Sequence, residues 1–111
     1  MPNRPEVEAV FAALADPTRR TVLDQLAEEG PLSATQLAAR FPVSRQAVVK
    51  HLSALTDAGL VTSARAGREV RFQVTPNGLD EAVGWLVTVG SRWDERLTAL
   101  RQHLTRRPGA T

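Results

Sequence analysis

The residues best equipped for chemistry lie between Ser44 and Arg71. The run Ser44-Arg45-Gln46-Ala47-Val48-Val49-Lys50-His51-Leu52-Ser53 repeats polar and basic side chains at helical intervals. An amide such as Gln46 matches the paired donor and acceptor of adenine, while Lys50 suits guanine acceptors or a phosphate. Arg45 flanks them, Ser53 continues the same side, and Val49 could meet a thymine methyl. Further on, Arg65, Arg68 and Arg71 surround Gly67. Extended arginines on a thin protrusion suit a minor groove or a line of phosphates. This is recognition chemistry, not bond-making chemistry.

Other chemistries are poorly supplied. There is no cysteine, so no disulfide, thiolate nucleophile or thiolate metal site can form. His51 and His103 are the two histidines, and they fall on different helices. Asp94 and His103 could contribute to a metal site shared across a dimer, but Zn²⁺ takes about three or four protein ligands, and no such set exists. A Gly-rich phosphate loop and a nucleophile–base pair are likewise missing. The expectation is a protein that is not an enzyme and carries no metal or cofactor. Trp85 and Trp93 read as packing residues, with the walls of a small-ligand pocket as the alternative.

The elements that must position these residues follow from periodicity. Val7, Val10, Phe11 and Leu14 form one stripe of a first helix. Asp16-Pro17 reads as an N-cap and first helical proline, and the helix they open carries Val22, Leu23 and Leu26 to Gly30-Pro31. Ser33 with Gln36 has capping-box spacing and opens a short third helix running to Phe41. Ser44 caps a fourth helix that ends at Gly59. Its core stripe is Val48, Leu52 and Leu55, so Gln46, Lys50, Ser53 and Asp57 face away at about 100° per residue. Helix, short turn, helix is the helix-turn-helix arrangement, whose second helix reads base edges from its N-terminal half.

Beyond Gly59 the period falls to two. Leu60–Arg65 and Glu69–Val74 flank Ala66-Gly67-Arg68 and predict a β-hairpin, with Val70, Phe72 and Val74 on one face. Thr75-Pro76 then begins a predicted long helix ending near Arg106. Along it Leu79, Val83, Leu86, Gly90, Trp93, Leu97, Leu100 and Leu104 are spaced alternately by about four and three, a coiled-coil seam. So long a stripe outruns a core of this size, which predicts a second subunit. Val7, Phe11, Leu86, Trp93, Leu97, Leu100 and Leu104 are the expected dimer-interface residues.

Composition sets the outer bounds. The 111 residues are 42% apolar and 23% charged, as expected of one globular domain over 1–111 with frayed tails at about 1–4 and 107–111. The longest apolar run, Ala9 to Ala15, is too short for a membrane span, and no signal peptide is visible. A cytoplasmic location is the expectation. The net charge of +2 hides a gradient, because residues 40–71 hold six basic and two acidic side chains while residues 1–39 hold three and six. A basic middle third is an electrostatic footprint for nucleic acid.

Several local runs together carry a family likeness. They are Asp16-Pro17-Thr18-Arg19-Arg20, Leu37-Ala38, Ser44-Arg45-Gln46-Ala47-Val48, His51-Leu52, Ala58-Gly59-Leu60-Val61, Gly67-Arg68 and the Phe72 strand. The combination, over residues 8–104, resembles the arsenic-repressor (ArsR) family of winged helix-turn-helix transcription factors. The resemblance implies a homodimeric repressor on a palindromic operator, often autoregulatory. Its metal-sensing branch places a cysteine pair on the third helix, where this chain has Leu32 to Leu37 and none. The likeness is therefore to the cysteine-free branch. Relatives often place Ser-Gln where this chain has Val49-Lys50, so the operator sequence does not carry over.

The expected fold is mainly α with a small β-hairpin: a winged helix-turn-helix with a long C-terminal dimerisation helix. The expected partners are double-stranded DNA, a second copy and either a small apolar effector near the dimer seam or no effector at all, with no membrane. Two other readings stand beside it. One is a dimerisation module that uses the winged fold to hold a protein partner, and the other is an architectural protein indifferent to DNA sequence.

Overall fold

The computed structural model describes residues 5–105. Its helices are α1 (Pro5–Leu14), α2 (Pro17–Glu29), α3 (Ala34–Ala38), α4 (Arg45–Asp57) and α5 (Asp80–Thr105), with strands β1 (Leu32–Ser33), β2 (Val61–Ala66) and β3 (Glu69–Val74). The expected frayed tails and the end near Arg106 lie outside the described residues.

Capping chemistry sets the helix starts. Asp16 accepts from the Thr18 and Arg19 amides at 2.8 and 3.2 Å, with Pro17 in the first turn of α2. Ser33 and Gln36 satisfy each other's backbone amides in a complete capping box at the start of α3. Ser44 accepts from the Ala47 amide at 3.1 Å and opens α4. Gly59, at φ +78°, ends α4: its amide bonds Thr56 and the Leu60 amide bonds Leu55. This Schellman pairing needs a left-handed residue, and it delivers the chain directly into β2.

The core gathers one stripe from each element. Val22 and Leu26 of α2, Leu37 of α3, Val48, Leu52 and Leu55 of α4, and Val61 of β2 are at most 1% exposed. Phe41 and Val43, in the turn between α3 and α4, pack against this cluster and fix the angle of the two helices. The mainly α fold with a β-hairpin is therefore as read from periodicity.

Three boundaries differ from the expectation. The sheet has three antiparallel strands in the order β1-β3-β2, because Leu32 and Ser33 pair with Phe72 and Arg71. Two residues are too few to show a period, and Ser33 serves both as strand partner and helix cap. The third helix stops at Ala38 rather than Phe41. The last helix begins at Asp80, not Thr75: the intervening turn includes Asn77 at φ +64°, which a right-handed helix excludes.

α5 leaves the globule. Its 26 residues extend about 39 Å, and the chain measures 73 × 29 × 20 Å with a radius of gyration of 20.2 Å, against about 13 Å for a compact chain of this length. Among the described residues Ala82 alone of this helix joins the core, and Trp85 meets Phe11 edge-on with ring centroids 5.5 Å apart.

Candidate nucleic-acid interface

The structure divides α4 as its sequence pattern requires. Val48, Leu52 and Leu55 face inward, while Arg45, Gln46, Val49, Lys50 and Ser53 are exposed. Gln46, Lys50 and Ser53 have no hydrogen bond or ion pair among the described residues, so their polar groups are free to meet a ligand. Val49 is 41% exposed beside them. Arg45 is different: its Nε donates to Thr35 Oγ1 at 3.1 Å, which braces α4 against α3.

One bracing contact gives His51 a hydrogen-bonded structural role. His51, half-buried at the flank of α4, accepts at Nδ1 from Arg19 Nε at 3.3 Å. This ties α4 to the first turn of α2, which Asp16 caps. The backbone hydrogen bond from Arg19 holds the Asp16 carboxyl below the ordinary aspartate value of 3.8, helped by the Thr18 amide and by nearby His51 and Arg19. The separation of 32 residues between Arg19 and His51 left no local signal for this contact.

On the wing, Arg65, Arg68 and Arg71 are all exposed, but they do not form one row. Arg65 lies opposite Val70 and Ala64 opposite Arg71. Cross-strand partners share a face, so Arg65 stands on the Phe72 face and Arg71 on the other. Arg71 is also held by Glu69, at 3.2 Å from its carboxylate. Arg68 occupies the two-residue tip beside Gly67, whose φ of +66° suits the first central position of a hairpin turn. Arg65 and Arg68 have no partner among the described residues.

The expected interface residues separate into two groups. Val7 is buried within the single chain, and Phe11 is half-covered by Trp85. Leu86, Trp93, Leu97, Leu100 and Leu104 instead stand 50–66% exposed along α5, with Leu79, Val83 and Val87 also open. Val87 was missed because it lies outside the alternating seam, although it falls one helical turn beyond Val83.

Among the described residues no three His, Asp or Glu side chains gather as metal ligands. Asp94 and His103 are nine positions apart on the continuous α5, which at about 100° per residue puts them on opposite faces. No helix of the described chain is long and apolar enough to cross a membrane.

Comparison with known proteins agrees with this geometry. A family model described as a helix-turn-helix domain matches residues 14–64, from the end of α1 to the middle of β2. The transcriptional repressor SdpR of Bacillus subtilis is 30% identical over 88 residues, 79% of this chain and 97% of its own length. An ArsR-like transcriptional regulator from Rhodococcus sp. RHA1 superposes with a TM-score of 0.76 at 45% identity, over 87% of this chain and 91% of that one. A homodimeric winged helix-turn-helix DNA-binding domain from Mycobacterium bovis, a possible ArsR-family regulator, has a TM-score of 0.60 at 26% identity over 83% and 82% of the two chains. These relatives are regulators of transcription, not enzymes. With its capped two-helix reader, its wing and its cysteine-free third helix, the chain belongs to the ArsR family of winged helix-turn-helix transcriptional regulators.

Proposed function

We propose that the chain acts as a homodimer that binds a palindromic operator and represses transcription there, its own promoter included. The carrying observation is the outward face of α4, where Gln46, Val49, Lys50 and Ser53 stand exposed and unengaged above a fully buried stripe. Gln46 and Lys50 read base edges in the major groove, with Arg45 and Ser53 at the margins. Arg65, Arg68 and Arg71 carry the wing toward the adjacent backbone, Arg68 leading. The exposed apolar face of α5 supports pairing with a second copy, as does the homodimeric state of the Mycobacterium bovis neighbour. The repressor role is supported by SdpR, which is named as one. Such a protein works in the cytoplasm, beside its DNA.

Hydroxyl-radical footprinting on the DNA upstream of its own coding sequence tests this reading. The expected result is two protected half-sites centred about one helical turn, roughly 34 Å, apart or a multiple of it. Added protein should then lower transcription from that promoter in a purified system. A single protected site, or binding without loss of transcript, would contradict the dimeric repressor.

A further inference from the structure

We propose that a cleft between α2, the base of the hairpin and the start of α5 binds a small organic cation with an apolar body. The cleft has a volume of about 340 Å³, within the range that holds small ligands. Leu23 of α2, Leu60 and Val74 at the hairpin base, and Leu79 give it a hydrocarbon wall. Asp24 and Asp80 are its charged lining residues, and no basic side chain lines it. Neither carboxylate has a hydrogen bond or ion pair among the described residues. The wall also includes Thr75, whose buried hydroxyl has no hydrogen-bond partner.

These features select the ligand class. Two exposed carboxylates without an ion pair favour a cation over an anion, against the partial positive charge of about half a unit at the N-terminus of α5. A hydrated divalent ion fits poorly, because Ca²⁺ and Mg²⁺ take about six or more oxygen ligands and this wall is mostly hydrocarbon. An amine on an apolar body satisfies both parts of the lining. The ligand would touch the wing and the first turn of α5 together, the two elements whose angle sets where the DNA-reading surfaces stand in a dimer. That regulatory consequence rests on the proposed function; the binding does not.

Titration of the full chain, without DNA, by phenethylamine, phenethyl alcohol and phenylacetate, followed by ¹H–¹⁵N spectra, tests the proposal. The amine should shift the amides of Leu60, Val74, Asn77 and Asp80 at concentrations about tenfold lower than either of the other probes, as one or two partly solvated charge contacts would give. Asp24→Asn combined with Asp80→Asn should erase that preference, and Ala27→Phe, which fills the cleft, should abolish all three responses. Equal response to the three probes, no shift at these amides, or shifts confined to the Trp93 face of α5 would overturn it. Operator binding measured without any probe is read separately, so failure of the DNA reading and failure of the cleft are distinct outcomes.

Discussion

At the scale of single residues, the proposed DNA reading rests on side chains that have no partner among the described residues. Gln46 is exposed and makes no internal bond, so removing its amide should leave the fold intact. Gln46→Ala should cost about 1–3 kcal/mol of operator affinity, with nearly unchanged affinity for random DNA, both measured by anisotropy titration. Equal losses on both would remove its base-reading role. Asp16 supplies a pH signature. Its carboxyl titrates below the ordinary 3.8, so the ionised cap stabilises the fold above that value and the contribution is lost as pH falls through the lowered one. Asp16→Asn, which keeps a capping oxygen but no charge, should unfold more easily than wild type at pH 7 in urea. The gap should begin to narrow as pH falls through about 4 and go on narrowing below it; a gap that stays the same as pH falls would contradict the charged cap.

At the scale of elements, the wing and the helix-turn-helix differ in how legible they were. Ser33, Ser44 and Gly59 announced their caps because each is a local bond within a few residues. The alternation from Glu69 to Val74 likewise placed Phe72 inward. β1 was hidden, since its pairing with Phe72 and Arg71 joins segments about forty residues apart and leaves no pattern of its own. The Arg19–His51 brace and the Glu69 clamp on Arg71 were hidden because a linear reading gives residue types, not which side chain meets which. That clamp makes Arg68 the freer wing cation. Arg68→Ala should flatten the slope of log affinity against log salt by roughly one, the change expected when one phosphate is no longer neutralised. An unchanged slope would mean that the hairpin tip stays in solvent.

At the scale of the whole molecule, α5 is the element the single chain cannot satisfy. Each half-exposed leucine on it leaves roughly 1 kcal/mol of apolar burial unrealised, and the row runs from Val83 to Leu104. Two copies pairing along this row would bury it and set the spacing of two α4 helices. Leu97→Asp places an unpaired charge there and should give a monomer by light scattering, with operator affinity abolished because one half-site is forfeited. A dimer with normal affinity would show that another surface joins the subunits. The central claim, that α4 reads sequence, is tested most directly by the ratio of affinities for the chain's own upstream duplex and a random duplex of equal length at one fixed salt concentration. A ratio of about a thousand or more is expected of a sequence-specific regulator. A ratio near one would contradict the account and leave a protein that holds DNA without reading it.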